Sequence, residues 1–319
     1  MQEVSKDIFY QTIQNWEDVP FSQSDGFVRL QCADNASCVR YFLDEQIGCA
    51  AYVKRFMGLT MLMVDTECLQ HRHTKPTAIC RFYEALRQTG VDMIEVNSRR
   101  IYQADYEIGI RQAGFLRPVG SFSYEMTNII DLSQPLSFNE NWKRNLKVSD
   151  SQGLTLQRVE HITREDIAAF IRLYREMCFH KNLAQPFTEE MLRVLLDDPH
   201  FRLCFICHGN ERLSGIIYHH VGMQAGLLYA ANGDAANRVH AGFQLYKQLL
   251  NSLSEEGVKT FDMEKMGASI HSTNAVFLFK QGIRGELTPL CGEWSWYKRR
   301  WYGVGMYFIK KYLWKKVQA

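Results

Sequence analysis

The chain has 319 residues, 46% of them hydrophobic, with a formal net charge of +2. That length exceeds the usual size of one core, so two domains are expected, and near-neutral charge argues against a nucleic-acid protein, because phosphate binding needs a basic face. Nine cysteines without regular spacing fit reduced, mostly buried thiols better than a disulfide framework. The first twenty residues lack an apolar signal-peptide region, and no stretch approaches the roughly 18 apolar residues of a membrane span, so cytoplasm is the expected location.

In chain order, residues 1–25 read as a polar helix and a loop. Apolar or alternating runs at Phe27–Cys32, Ser37–Leu43, Gly48–Phe56 and Leu59–Val64 predict a meander of strands. Spacing of Ile79, Phe82, Tyr83 and Leu86 predicts a helix over Lys75–Thr89, followed by a strand at Val91–Val96, a short helix at Asp105–Ala113 and a strand at Val119–Ile130. A basic helical turn, Asn141–Lys147, closed by a polar loop marks the domain junction. Helices at Arg164–His180 and Thr188–Leu196 follow it.

The order of elements then returns. Strands at Leu203–Cys207, Leu213–Val221 and Leu227–Ala231 lead through Asn232-Gly233-Asp234 into a long helix with Phe243, Tyr246, Leu249, Leu250 and Leu253 on one face. It stops at Gly257, as a helix does at a left-handed C-terminal residue. A strand at Val258–Met263 and a helix at Thr273–Lys280 complete the set. Gly48 and Gly215, and likewise Gly90 and Gly257, are separated by 167 residues. One offset for a shared order of elements points to two copies of one α/β unit. At that offset Leu62 lies opposite Tyr229, and with two further residues inserted Arg111 lies opposite Lys280.

Standard motifs are missing. Cys68, His71, His73 and Cys80 cluster in sequence, and Cys204 and Cys207 resemble half a zinc knuckle, but no second pair follows at finger or ribbon spacing. There is no Gly-rich loop ending in Gly-Lys-Ser/Thr and no Gly-x-Ser-x-Gly elbow.

The Asn141-Trp142-Lys143-Arg144-Asn145-Leu146-Lys147 run, the Leu227–Gly233 strand end, the helix stop before Phe261-Asp262 and the Phe279-Lys280 pair followed by Gly282 resemble the second half of FemABX-like peptidoglycan-bridge aminoacyltransferases. Phe21-Ser22-Gln23-Ser24 resembles that family's entry, so the likeness spans about residues 15–297. It implies an α/β (α+β) fold of two tandem GNAT-like domains, each a mixed, mostly antiparallel sheet flanked by helices. The expected boundaries are 1–135 and 136–297, with a basic aromatic C-terminal helix over 298–319. It also implies transfer of an aminoacyl group from charged tRNA, or of an acyl group from acyl-CoA, to an amine on a cell-envelope precursor, with no tightly bound cofactor.

Such transfer needs a deprotonated amine and a donor or cation at the carbonyl oxygen. By resemblance, Lys280 stabilises the oxyanion or holds a phosphate, Tyr229 protonates the leaving group, and Asp262 or Glu264 acts as base or orients the amine. Lys143, Arg144, Arg238 and Gln23 are the implied substrate contacts. Each has a structural alternative: Lys280 as a helix C-terminal cation, Tyr229 as a core aromatic, Asp262 and Glu264 as one solvated strand face, Arg144 as a solvated helix face. The string Arg238-Val239-His240-Ala241-Gly242-Phe243 departs from the [Arg/Gln]-x-x-Gly-x-[Gly/Ala] turn that grips coenzyme A pyrophosphate.

From Trp294 to Ala319 there are seven Lys or Arg, no acidic residue and many aromatics. The pattern suits a helix docked on the protein, or one lying in an anionic membrane interface. A non-catalytic module that binds envelope precursors or a membrane surface is the alternative to an enzyme.

Overall fold

The computed structural model describes residues 1–32, 38–56, 58–118, 126–181, 187–266 and 275–309. The chain forms two compact units, Met1–Met126 with Pro289–Ala319, and Thr127–Thr288.

The first stretch runs β1 (Gln2–Val4), α1 (Lys6–Ile13), α2 (Asp25–Gln31), β2 (Val39–Leu43), β3 (Ile47–Phe56), β4 (Leu59–Val64), β5 (Cys68–Leu69), α3 (Pro76–Leu86), β6 (Met93–Ile101) and α4 (Ala104–Gln112). Then come β7 (Met126–Asp131), α5 (Glu140–Asp150), β8 (Leu154–Val159), α6 (Arg164–Lys181), α7 (Glu189–Leu196), β9 (Phe201–His208), β10 (Glu211–Val221) and β11 (Gln224–Asn232). The last elements are α8 (Asp234–Arg238), α9 (Ala241–Glu255), β12 (Thr260–Asp262), α10 (Ala275–Gly282), β13 (Glu286–Tyr297) and α11 (Arg300–Phe308).

Each unit repeats one plan. In the first, β1, β2, β3 and β4 are antiparallel, β6 runs parallel to β4, and β13 is antiparallel to β6. In the second, β8, β9, β10 and β11 are antiparallel, β12 runs parallel to β11, and β7 is antiparallel to β12. The duplication expected from the 167-residue offset thus appears as topology. Gly90 and Gly257, with φ of 85° and 86°, follow α3 and α9 in the left-handed conformation that glycine adopts without strain.

The terminal strand of each plan comes from the other half of the sequence. β7, expected within 1–135, lies in the second unit from Thr127 onward, and β13, expected within 136–297, lies in the first unit from Pro289 onward. Sequence periodicity shows where a strand is and not which neighbour it pairs with, so the boundaries differ from those read from the chain.

One predicted strand is a helix. Phe27–Cys32 falls largely in α2, because the Ser24 side chain accepts from the Phe27 N–H and Asp25 occupies the first turn. That cap outweighs the β-propensity of Phe27 and Val28.

The second unit packs one sheet face against α5 and α9. Ile216, Tyr218, Leu227 and Phe261 meet Trp142, Leu245, Leu249 and Leu253 there. Against the other face lies α6, in contact with β10 and β11.

Candidate active site

The site begins with an irregularity in β11. Ile217 pairs with Tyr229 and Tyr218 with Leu227, so Leu228 is an extra residue with no opposite number on β10. In an unbroken strand residues three apart point to opposite faces. The bulge cancels that alternation: Leu227 and Ala230 both pack on the α9 core, and Gly226 and Tyr229 both turn to the α6 face. A bulge also frees backbone groups from the ladder.

Gly226 is where β11 meets β12. The parallel ladder pairs Gln224 with Thr260, Ala225 with Phe261 and Gly226 with Asp262, then stops, although β11 continues to Asn232. On the other side Gly226 pairs with His219 of β10. His219, Gly226 and Asp262 therefore stand side by side on one face. A Cβ at Gly226 would lie 2.4 Å from His219 Nε2 and 3.1 Å from the Asp262 Cβ. The imidazole occupies the space that glycine leaves, next to the strand position that carries Asp262.

Asp262 is held from behind. Thr127 Oγ1 donates to Asp262 Oδ1, and the Glu264 N–H donates to the same oxygen at 2.7 Å. Burial, reinforced by the charge of Glu264, pushes the Asp262 carboxyl up to about 6, against the lowering effect of the Thr127 bond and Lys280. Asp262 and Glu264 were expected to share one strand face. The strand instead ends at Asp262, and Glu264 has φ of 61°. Only Asp262 sits in sheet register.

Lys280 is 9% exposed, and its Nζ donates to the backbone carbonyls of Glu264 and Lys265, at 3.0 Å each. It pins the chain just past β12 and adds positive charge near Asp262. Asn128 secures the C-terminal end of α10, its Nδ2 donating to the Lys280 and Ile283 carbonyls at 2.8 Å each. Tyr229 is half-buried, its ring 4.8 Å from Phe187 and 6.3 Å from Tyr174 of α6, centroid to centroid. An aromatic wall thus borders β11 just past the His219 and Asp262 pair.

The structure brings Asp262, Glu264 and Lys280 together, and sets Tyr229 on the same sheet face as Asp262. Other expected residues lie elsewhere. Gln23 is fully buried; its Nε2 donates to the carbonyls of Ala50 and Asp65 and its Oε1 accepts from the Ala50 N–H at 2.6 Å. It bridges strand backbones in the first unit and has no surface for a ligand. Lys143 pairs with Glu140 at 2.8 Å and Arg144 donates to Asn141 Oδ1 at 2.9 Å, both on the exposed side of α5, across the sheet from Asp262. Arg238 is exposed at the end of α8, before α9.

Phe243, which stands where the coenzyme A turn has a small residue, packs its ring 4.7 Å from Trp142. It is partly buried against the core, with its ring 6.0 Å from that of His240 at the start of α9. His219 was missed in the sequence because its role rests on strand register; the signal available was a glycine, Gly226, inside an apolar strand, which marks close approach by a neighbour.

Residues 137–269 match the family model described as acetyltransferase (GNAT) domain. The second unit, within which that match falls, has a GNAT-like fold. The structure of FemX matches with a TM-score of 0.74 and 12% identity, covering 96% of this chain and 100% of that one. The structure of L-PGS from Bacillus licheniformis matches with a TM-score of 0.65 and 15% identity, covering 97% of each chain. No curated protein matches the sequence. The likeness to FemX extends over both units, and the tandem GNAT-like fold expected from the resemblance to FemABX-like proteins is the fold the chain adopts.

Proposed function

We propose that the protein transfers an acyl or aminoacyl group from an activated ester or thioester to an amine on a cell-envelope precursor, with Asp262 and His219 as the proton-accepting pair. The observation that carries this reading is the placement of both residues across Gly226, beside the bulge at Leu228.

An amine is protonated at neutral pH and must lose a proton before it attacks. Asp262, with its affinity for protons raised, accepts that proton better than an ordinary carboxylate, and His219 beside it gives the proton a second resting place. The free amine nitrogen then bonds to the carbonyl carbon. Charge building on the carbonyl oxygen is met by backbone N–H groups released at the Leu228 bulge. The carbon–oxygen or carbon–sulfur bond of the donor breaks, Tyr229 supplies the proton that the leaving oxygen or sulfur takes up, and the second proton that the nitrogen sheds as the amide forms restores the tyrosine hydroxyl. Lys280 acts through Asp262 and the chain it pins, and serves as a positioning residue.

Acyl-CoA is a second donor reading, favoured by the GNAT match at 137–269. The N-terminus of a helix such as α9 suits an anionic phosphate, and Arg238 adds a cation near it in sequence. The test is incubation of the full chain with acyl-CoA, charged tRNA and lipid-linked precursor amines in turn, read as a mass shift of the acceptor. Transfer from charged tRNA supports the first donor. Transfer from acyl-CoA, with micromolar coenzyme A binding lost in Arg238→Ala, supports the second. No shift with any combination overturns both.

A further inference from the structure

Among the described residues, α11 is anchored through one side. Tyr302 and Met306, 9% and 6% exposed, pack on Met93 in the first unit, with Leu59, Met61, Tyr297 and Ile309 around them. At roughly 100° per residue, Trp301, Val304 and Phe308 fall within an arc of about 60° on another face. They are 61%, 57% and 52% exposed. Single exposed apolar residues are ordinary, but three on one arc make a stripe. Two glycines, Gly303 and Gly305, lower the intrinsic helix propensity of the segment, so its anchor side has to hold the helix.

The charges point the same way. Lys298, Arg299 and Arg300 are exposed at the start of α11, which has no acidic residue in its first turn. Cations at a helix N-terminus oppose the macrodipole, so these three do not stabilise the helix at whose start they stand. Among the described residues none of them forms an ion pair. The sequence beyond adds Lys310, Lys311, Lys315 and Lys316 and no acid. A second copy of so one-signed a segment would be repelled, whereas an anionic surface would attract it.

We infer that the outer face of α11 seats on an anionic lipid bilayer, with Trp301, Val304 and Phe308 in the interface and Lys298, Arg299 and Arg300 against lipid phosphates. The surface lies in the first unit and stands independently of the transfer reaction proposed for the second.

The test uses the full chain and vesicles of phosphatidylcholine alone, or with about a third phosphatidylglycerol for a strong anionic field. Sedimentation should show binding to the anionic vesicles only, weakened at high salt. Trp301→Ser, Val304→Ser and Phe308→Ser together should abolish it, and brominated lipid should quench the wild-type tryptophan fluorescence but not that of the variant. Replacing Lys298, Arg299 and Arg300 by Ala should lower partitioning roughly a hundredfold. An unchanged Tm verifies that each variant is folded, since Tyr302 and Met306 are untouched. Equal binding to both vesicle types, no binding, or self-association without lipid that the serine variant removes would each overturn the inference.

Discussion

His219 and Asp262 flank Gly226 on one sheet face, on the two strands either side of one that has no side chain at that point. This sets an imidazole beside a buried carboxylate at the place where the parallel ladder of β11 and β12 ends. The prediction is direct. Gly226→Ala puts a methyl 2.4 Å from His219 Nε2 and must displace the ring. Transfer should fall at least tenfold, with a loss of about 1–3 kcal/mol in stability from overpacking. Chemical denaturation and a transfer assay on the same variant check both, and wild-type transfer rates would count against the pairing.

The raised Asp262 carboxyl has consequences for activity and for stability. Its carboxylate form is the base, so the transfer rate should climb with pH through about 6 and level off above it. For stability the sign is reversed from that of an ion-paired aspartate. Between the unfolded value near about 4 and the folded value of about 6 the native state binds more proton than the unfolded state. Stability therefore decreases as pH rises through that window. Asp262→Asn, which keeps an acceptor for Thr127, removes this pH-dependent loss. At pH 7 it should raise the unfolding free energy, by up to on the order of 3 kcal/mol, and the gain should vanish near pH 4.

Lys280→Met separates two roles. The ammonium bonds two backbone carbonyls past β12, and charged hydrogen bonds of this kind contribute roughly 1.5–3 kcal/mol each. The variant should melt earlier. Because Lys280 lowers the proton affinity of Asp262, the acid limb of the pH–rate profile should also move to higher pH. A lower plateau with an unmoved limb would indicate that Lys280 touches substrate directly.

Gln23→Ala should destabilise the first unit by about 1–3 kcal/mol through loss of its buried backbone bonds. KM for either substrate should stay at the wild-type value in protein that remains folded. A raised KM in folded protein would restore Gln23 as a ligand contact.

Much of the fold is visible in the chain because local signals and tertiary packing agree. The α9 face of Tyr246, Leu249, Leu250 and Leu253 and the glycine stop at Gly257 are features of single elements, readable by spacing. Strand exchange is not, since β7 and β13 carry no mark of the neighbours they pair with. Ser24 misled in a different way: its cap turned an apolar run into α2. For the site, Asp262 and Tyr229 are readable at strand ends, but their common face depends on the Leu228 bulge, which no periodicity shows. His219 is hidden because its importance lies in register with Gly226. Gln23 appears polar and available in sequence, whereas the gap between strand backbones that it fills exists only in the folded unit.

Single-turnover transfer by Asp262→Asn, measured above pH 7 on protein shown to be folded, tests the central claim. With Asp262 as the proton acceptor, the rate should fall by about two to four orders of magnitude while donor binding is retained. A rate within twofold of wild type would contradict the account.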